Sequence, residues 1–377
     1  MEPESHKHIL FIPSWYSAYT TEGVYIREHA RMTAVMGHKV GFLYVERGRF
    51  LSKPVFSWWK ENDVQCGLLR SWYFPKVATL TGMWERCYRN LYNKYVAEYG
   101  IPDLIHAHGY VAGMAARALS HRTHIPYLVT EHNTSIPAGI VRWYHAPEMR
   151  RAYRDAAALI AVSSFLNQAM LRWTLRSDIH VIYNPVDFHK FTMHGHKSDH
   201  THLQLISIGA LDPRKNQGLL LDALSRLDKS LDIRLDVIGS GPQQAFLERK
   251  ATDLGLRVQW LGELSPTEVS LQLASADVFI STSNLETFGV AIVEALACGV
   301  PVISTDSGAP REYIHDRVGI VIPAKDPATV VEAIEYIFQH RGKYDANFIR
   351  EYARGHFDFP VIGSQVNQVY DEILKST

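Results

Sequence analysis

Short apolar runs alternate with longer amphipathic segments along almost the whole chain. Most of the runs are apolar at successive positions, which indicates strands that are covered on both faces of a sheet. Twelve strands are predicted, at Ile9–Ile12, Lys39–Val45, Leu104–His108, Tyr127–His132, Leu159–Ser163, Val181–Tyr183, Leu203–Ile208, Arg234–Ile238, Val258–Leu261, Val278–Ser281, Val302–Thr305 and Ile320–Ile322.

The segments between the runs have helical spacing, for example Gly23–Met36, Leu219–Leu227 and Val290–Ala297. Alternating strands and helices predict an α/β fold with doubly wound parallel sheets. Twelve strands are unusually many for one open sheet, so we predict two Rossmann-like domains that face each other across a cleft. The domain seam is predicted at Tyr183–Asp187, where Asn184-Pro185 breaks regular structure, and at the polar stretch 193–201, with domains at 1–187 and 188–359.

Composition narrows the class of protein. With 377 residues, 46% hydrophobic and 21% charged, the chain can bury a sizeable core. Lys and Arg total 39, as do Asp and Glu, and this balance argues against a nucleic-acid partner. Three distant cysteines fit a reducing compartment. Neither a signal peptide nor a membrane span is recognisable, so a cytoplasmic protein, active in solution or at the inner face of the membrane, is expected.

The most informative stretch is Ser281–Gly299, where a helix is predicted to start around Phe288 and Gly289. Glu286 stands at its entrance and Glu294 eight positions later, an offset of roughly 12 Å along a helix axis. Each carboxylate could accept bonds from two hydroxyls, and the amides at the helix start could receive phosphates between them. Alternatively, Glu286 caps the helix and Glu294 pairs with a buried arginine.

A second motif, Ile208–Gln217, combines a strand, a tight loop and a helix, with Arg214 and Lys215 at the end of the loop. Two adjacent cations could neutralise a diphosphate. The chain has no Asp-x-Asp pair to hold Mg²⁺ for that task, so neither a metal nor another cofactor is expected. An ordinary solvated loop is the alternative.

Four motifs of the second half, GALDPRK, VIGSGP, VQWLG and ETFGVAIVEALACGVPVIST, resemble the donor-binding domain of retaining glycosyltransferases of family 4, which have the GT-B fold. Segments 103–108, 129–132 and 181–187 of the first half agree less tightly. The resemblance implies that domain 1–187 binds the acceptor and domain 188–359 the nucleotide sugar. It also implies that 360–377 forms a helix that crosses back to the first domain.

The resemblance implies roles for individual residues. Glu286 would touch the donor sugar and Glu294 the ribose, while Arg214 and Lys215 would hold the pyrophosphate, and His132 would face the reacting sugar. Many relatives have arginine at the position of Ala210, so here either Arg214 carries more of the phosphate charge or the affinity for the donor is lower. The implied catalytic residues are His132, Glu286, Arg214 and Lys215. The implied donor-binding residues are Gly23, Gly209, Arg214, Lys215, Gly239, Gly262, Glu286, Thr287, Phe288, Gly289 and Glu294.

The function that follows is retaining transfer of a hexosyl unit from a UDP- or GDP-sugar to a glycan or lipid-linked acceptor. Polysaccharide, lipopolysaccharide or glycolipid synthesis is the usual setting for the family. No carboxylate is obviously placed as a covalent nucleophile, which favours a front-face path without a metal. A nucleotide-sugar 2-epimerase is the enzymatic alternative, and a non-catalytic nucleotide-sugar-binding protein is the third.

Three further features have alternative interpretations. His106 and His108 share one strand face, but no third metal ligand is near in sequence, so structural packing is predicted. The four histidines of Met193–His202 are predicted to belong to a solvated linker. Residues 51–99 mix tryptophan and tyrosine with lysine and arginine, which suits either peripheral membrane contact or the core of an acceptor domain with a solvated helix face.

Overall fold

The computed structural model describes residues 6–14, 23–48, 53–71, 82–193, 202–228, 231–323 and 326–376. The chain divides into two compact units, one formed by Met1–Pro185 with Pro360–Thr377 and the other by Val186–Phe359. The break lies two residues before the predicted one. Val186 belongs to the second unit because it forms a β-bridge with Asp358 and donates its N–H to the carbonyl oxygen of Phe357.

A mostly parallel sheet forms the centre of the first unit. Its described strands are β1 (His8–Pro13), β2 (Lys39–Arg47), β3 (Val55–Glu61), β4 (Val64–Ser71), β5 (Leu104–His108), β6 (Tyr127–Glu131), β7 (Ala158–Ala161) and β8 (Ile179–Val181). Their order across the sheet is β3-β4-β2-β1-β5-β6-β7-β8. β3 pairs antiparallel with β4, and the other neighbours pair in parallel.

The hairpin of β3 and β4 is absent from the sequence prediction, which found twelve strands where the described residues form fourteen. A two-residue turn, Asn62-Asp63, joins the two strands with left-handed φ values of 47° and 62°. Such a turn matches the right-handed twist of a hairpin and favours these residue types.

Five described helices cover the sheet of the first unit: α1 (Val24–Val35), α2 (Met83–Tyr99), α3 (Tyr110–Thr123), α4 (Ala146–Asp155) and α5 (Ser164–Met170). The start of α5 has a local cause, since the Ser163 hydroxyl accepts a hydrogen bond from the Leu166 N–H at 3.0 Å. The α3 helix buries one face of mostly alanine and glycine, and the Cβ that would replace the Gly113 hydrogen would lie 3.0 Å from Val129 of β6. Small residues therefore let α3 approach the sheet closely.

The second unit contains a wholly parallel sheet within the described residues. Its strands are β9 (Leu203–Ile208), β10 (Ile233–Ile238), β11 (Val258–Gly262), β12 (Val278–Ser281), β13 (Val302–Thr305) and β14 (Gly319–Ile322). They lie in the order β11-β10-β9-β12-β13-β14. The chain therefore begins at the centre, runs to one edge, and returns to the other side of β9. Both units are Rossmann-like, as predicted.

Six described helices belong to the second unit: α6 (Gln217–Leu224), α7 (Gln244–Asp253), α8 (Pro266–Ser275), α9 (Val290–Ala297), α10 (Pro327–Gln339) and α11 (Ala346–Phe357). Side chains cap three of these helices: Ser265 and Glu268 form a reciprocal capping box at α8, and Asp326 and Asp345 accept N–H groups at the starts of α10 and α11. The buried Arg350 of α11 donates to the carbonyl oxygens of Phe188, Phe191 and Ala297. This cation lies at the C-terminal end of α9, where a helix favours positive charge.

The last helix, α12 (Phe359–Lys375), packs on the first unit, as the resemblance implied. Asn367 and Tyr370 bond with the rings of His38 and His106, at 2.8 and 2.7 Å. Lys7 forms an ion pair with Asp371 at 2.8 Å. These contacts explain why the chain returns to a unit that it left at Pro185.

Candidate functional site

The donor-site residues predicted in the second unit follow two neighbouring parallel strands. β9 leads into residues 209–216, and β12 leads into residues 282–289; we name these segments the β9 loop and the β12 loop. β9 and β12 pair with each other where the strand order reverses. In open α/β sheets, ligands bind beyond the carboxyl ends of strands at such a point.

Lys215 of the β9 loop and Glu286 of the β12 loop contact each other. The Lys215 Nζ donates to Glu286 Oε1 at 2.5 Å, and the Ser283 hydroxyl donates to the same oxygen at 2.7 Å. The side chains of Lys215 and Glu286 are 29% and 10% exposed. The sequence indicated both charged residues, but it indicated neither their pairing nor Ser283, which is one of many serines in the chain.

Hydrogen bonds hold the β9 loop against the β12 loop. The Asn284 N–H donates to the carbonyl oxygen of Arg214 at 2.7 Å, and its side-chain amide donates to that of Pro213 at 2.9 Å. The Thr282 hydroxyl donates to the carbonyl oxygen of Lys215 at 3.3 Å. The backbone that carries both cations is therefore fixed by the loop that carries Glu286.

Arg214 is placed differently from its neighbour. Its guanidinium donates to Asp212 Oδ2 at 2.6 Å, and its side chain is 63% exposed. The hydrogen bond to Asp212 raises the pKa of the Arg214 guanidinium. Asp212 was not singled out in the sequence, although an acidic residue two positions before an arginine is a local signal for such a pair. Arg214 thus has an internal counter-ion that a bound diphosphate would have to compete with.

Three of the predicted glycines lie at the ends of adjacent strands β9, β10 and β11. The Gly209 N–H donates to the carbonyl oxygen of Ile238 at 2.9 Å, and the Gly239 N–H donates to that of Gly262 at 2.7 Å. A Cβ on Gly239 would overlap the carbonyl oxygen of Gly209, and the φ of Gly239 is 129°. Only glycine allows the two backbones to approach this closely.

The α9 helix begins at Val290, directly after the predicted start around Phe288 and Gly289, and Gly289 stands before it at φ 88°. Glu286 is therefore outside the helix, in a β-bridge with Gly308, and the 12 Å offset predicted along a common axis does not apply. Phe288 is buried, and its carbonyl oxygen accepts a hydrogen bond from the Tyr313 hydroxyl at 2.5 Å. Glu294 is half-buried on the fifth residue of α9, and Thr287 is buried.

In the first unit, His132 follows β6 and is buried. The buried carboxylate of Glu131 accepts hydrogen bonds from the N–H groups of His132 and Asn133 and from the Tyr153 hydroxyl, at 2.7 to 2.9 Å. These bonds fix the chain at the end of β6. The ring Nε2 of His132 lies 2.9 Å from Nδ1 of His108, a contact that the sequence did not suggest.

His29 of α1 joins the same group, which also includes His106. Ring nitrogens of His29, His108 and His132 all lie within 4.8 Å of one another. The expectation that His106 and His108 have no third ligand nearby was wrong for His108, because α1 and β6 bring two more imidazoles to it. Burial lowers the pKa of all four rings, that of His29 to about 4.

The remaining predicted features have simpler positions. Gly23 stands directly before α1 with φ 73°, and its carbonyl oxygen accepts the Ile26 N–H at 2.9 Å. The described aromatic residues of 51–99 mostly pack inward: Tyr88, Tyr92 and Tyr95 are buried, and Trp58 stacks on Tyr95. Residues 72–81 and 194–201, which include part of that region and three of the four linker histidines, lie outside the described residues.

The three cysteines are free and buried. Among the described residues, none of the helices has the length and hydropathy needed to traverse a lipid bilayer.

Comparison with known proteins gives the family. Residues 23–190 match the family described as Glycosyltransferase Family 4, and residues 190–355 match Glycosyl transferases group 1. A phosphatidyl-myo-inositol mannosyltransferase from Mycobacterium leprae is 31% identical over 171 residues, which cover 44% of this chain and 45% of that protein. The match thus spans about half the length of this curated relative.

Solved structures give the fold. Sucrose-phosphate synthase from Thermosynechococcus elongatus superposes with a TM-score of 0.81 at 19% identity, over 99% of this chain and 100% of that one. HepE from Anabaena, in complex with UDP and glucose, has a TM-score of 0.77 at 20% identity and covers 97% and 100% of the two chains. With both halves matched by glycosyltransferase families, the chain belongs to glycosyltransferase family 4 and has the GT-B fold.

Proposed function

We propose that this protein is a retaining glycosyltransferase that moves a hexosyl unit from a UDP- or GDP-sugar to a glycan or lipid-linked acceptor. The observation that carries the proposal is the contact of Lys215 with Glu286 beyond the carboxyl ends of β9 and β12. The mannosyltransferase name of the Mycobacterium leprae relative and the UDP and glucose bound to HepE support it. Polysaccharide, lipopolysaccharide or glycolipid synthesis is the proposed setting.

The Lys215–Glu286 pair gives a mechanism for donor binding. Without donor, each charge neutralises the other in a partly buried position. A diphosphate would compete for the Lys215 ammonium, and the Glu286 carboxylate could then accept hydrogen bonds from sugar hydroxyls. Ser283 would keep that carboxylate oriented through the change. The ion pair is thus a preformed site for one anion and one polyol.

The other predicted residues complete the donor site in this proposal. Arg214 binds the phosphates together with Lys215, either after its hydrogen bond to Asp212 breaks or while that bond is retained. Glu294 on α9 accepts hydrogen bonds from the ribose hydroxyls. The glycines at 209, 239 and 262 let the nucleotide approach the backbone, and Thr287, Phe288 and Gly289 line the start of α9 for the phosphates. Gly23 before α1 contributes from the first unit.

Transfer is proposed to follow a front-face path. The acceptor hydroxyl oxygen forms a bond to the anomeric carbon on the face from which the diphosphate departs, and the bond from that carbon to the phosphate oxygen breaks. The departing diphosphate takes the acceptor proton. Lys215 and Arg214 stabilise the charge that develops on the leaving group, which is the task that metal ions perform elsewhere. His132, uncharged because burial lowers its pKa, faces the reacting sugar.

We also propose that the protein acts at a membrane face, with peripheral contact through residues 51–99. Support comes from the exposed Lys53, Val55 and Lys60, which lie on or next to the edge strand β3; Val55 is 52% exposed, and Lys60 forms an exposed ion pair with Asp63. A lipid-linked acceptor would place the reaction at such a surface.

A product assay tests the proposed reaction. The purified chain is incubated with radiolabelled UDP- and GDP-sugars and candidate acceptors, and proton NMR assigns the anomeric configuration of the product. Transfer, or slow release of sugar to water, with the donor's configuration is the expected result. An inverted anomer would contradict the retaining mechanism. An isomerised nucleotide sugar would indicate the 2-epimerase, and binding without turnover would indicate a non-catalytic protein.

A further inference from the structure

Three buried imidazoles converge in the first unit. His29 comes from α1, His108 ends β5, and His132 follows β6, so three separate elements position the rings. Their exposed fractions are 2%, 0% and 5%. One nitrogen of each ring lies within 4.8 Å of one nitrogen of each other ring. We name these three residues the histidine cluster.

The spacing of the cluster is close to that of a metal site. The Nδ1 of His108 lies 2.9 Å from Nε2 of His132, and the His29 ring centroid lies 5.0 and 5.6 Å from those of His108 and His132. In a tetrahedral zinc site with Zn–N bonds of about 2.0–2.1 Å, ligand nitrogens are about 3.3 Å apart. A bound ion would replace the hydrogen bond between His108 and His132, and the proton shared there would move to the other nitrogen of its ring, so that small rotations bring three lone pairs to one centre.

The three rings of the cluster are in the protonation state that binds a metal cation. Burial lowers the pKa of each ring, so that all three are neutral imidazoles near pH 7, the form that ligates metals. Nδ1 of His29 is buried and has no hydrogen-bond partner among the described residues, so its lone pair is available to a cation while Nε2 bonds with Asn184. Nε2 of His108 also lacks a partner, but the nitrogen of that ring that faces His132 is Nδ1.

His106 provides an internal contrast. It lies on the same strand as His108 and is equally buried, yet both of its ring nitrogens are satisfied, by the Tyr370 hydroxyl and the Thr130 hydroxyl at 2.7 Å each. The fold thus supplies partners for a structural histidine two residues away. His29 and His108 lack the second of these partners, which distinguishes the cluster from ordinary packing.

Asn184 forms hydrogen bonds of the kind that usually orient metal-binding histidines. Its Oδ1 lies 3.0 Å from Nε2 of His29, and it also forms a side-chain hydrogen bond with His132. Asn184 is 3% exposed and precedes Pro185, which restricts its backbone. One amide thus orients two of the three rings and places a carbonyl oxygen beside the cluster.

We propose that His29, His108 and His132 together bind one divalent transition-metal ion of the class that prefers imidazole nitrogen, such as Zn²⁺ or Co²⁺. Mg²⁺ and Ca²⁺ prefer oxygen ligands and are expected to be excluded. Where the proposed function holds, the bound ion withdraws His132 from the reacting sugar, so that metal binding and transfer oppose each other. Metal binding itself does not depend on that function.

The test is a titration of the chelator-treated chain with Co²⁺, followed by visible absorption and by metal content per chain. One Co²⁺ per chain with the intense visible bands of a four-coordinate site is expected, and Mg²⁺ should not compete. His29→Asn and His108→Asn should each weaken the affinity at least tenfold. Absence of binding in the parent chain would overturn the proposal.

The linker histidines require a control, because they offer a second source of imidazole. A variant with His194, His196, His200 and His202 all changed to Asn should keep the Co²⁺ site. Loss of the site in this variant, with retention in His29→Asn, would contradict the proposal. If the buried variants do not fold, ring-nitrogen NMR of the parent chain decides: Zn²⁺ must shift His29, His108 and His132, and shifts confined to other histidines would refute the site.

Discussion

The ammonium of Lys215 and the carboxylate of Glu286 are 2.5 Å apart, although 71 positions separate the two residues in the chain. Two neighbouring strands of one parallel sheet bring them together, since each residue lies in the loop that follows its strand. The contact therefore depends on topology rather than on local sequence. In the proposed reaction the ammonium binds the diphosphate and the carboxylate binds the sugar, so the contact joins two groups that have different roles.

Replacing Lys215 by alanine tests the cation. Lys215→Ala removes the charge that would stabilise the leaving diphosphate, and we expect kcat/KM for sugar transfer to fall roughly 10²–10³-fold. Steady-state assays with the labelled donor measure the loss. Lys250→Ala is the matched control, because Lys250 forms a similar pair with Asp222 at 2.6 Å and is 24% exposed. Equal losses in both variants would show that any broken ion pair lowers activity.

Ser283→Ala tests whether the orientation of Glu286 matters. The substitution removes one hydrogen bond to the carboxylate, worth about 1 kcal/mol, and we expect about a fivefold fall in kcat/KM without a change in fold. Ser283→Thr, which retains a hydroxyl, should recover activity if the bond acts by positioning. Failure of threonine to recover activity, with an unchanged melting temperature, would argue against this role.

Gly239→Ala tests the close approach of the strand-end backbones. The new Cβ would overlap the carbonyl oxygen of Gly209, and we expect unfolding to become easier by about 3 kcal/mol. Urea denaturation measures the change. Gly255→Ala separates the steric overlap from the strain of a positive φ. The φ of Gly255 is 67°, but open space surrounds the added carbon, so we expect a loss of about 1 kcal/mol in the free energy of unfolding. Similar losses in both would remove the overlap as the cause.

Local patterns in the sequence predict much of the architecture. The continuous apolar runs predicted the strand positions of both parallel sheets, and Gly299 and Gly289 delimit α9 nearly as expected. The edge strand β3 was missed because its residues are half-buried or exposed, a weaker pattern than a buried run, and its partner β4, although mostly buried, was missed with it. The turn between them, Asn62-Asp63, was the available signal.

The charged residues of the candidate site were predictable, whereas their partners were not. Arg214 and Lys215 are adjacent in sequence, yet one pairs with Asp212 in the same loop and the other with Glu286 across two strands. His132 and His108 likewise meet only because β5 and β6 are neighbours. Sequence patterns identify the chemistry that a loop carries, but tertiary pairing decides which charges remain available to a ligand.

The cysteines give a prediction that depends on pH. Burial raises the pKa of the Cys66 and Cys298 thiols to about 12 and also raises that of Cys87. The reactive thiolate is therefore scarce in the folded chain at pH 8, and we expect no rapid reaction with a disulfide reagent. The same reagent in denaturant should count three thiols. Rapid labelling of the native chain at pH 8 would show that a cysteine is accessible.

Vesicle co-sedimentation tests the membrane contact. If residues 51–99 contact anionic lipid, the combined change Lys53→Ala and Lys60→Ala should weaken binding at low salt by up to about 30-fold, because each basic residue near the surface contributes about 1 kcal/mol. Two other exposed apolar residues of the same unit provide the comparison: Trp143 is 83% exposed and Leu175 is fully exposed. Loss of binding in Trp143→Ser with Leu175→Ser, but not in the lysine variant, would place the contact at these residues instead. Absence of binding by the parent chain at low salt would rule out peripheral contact with anionic lipid.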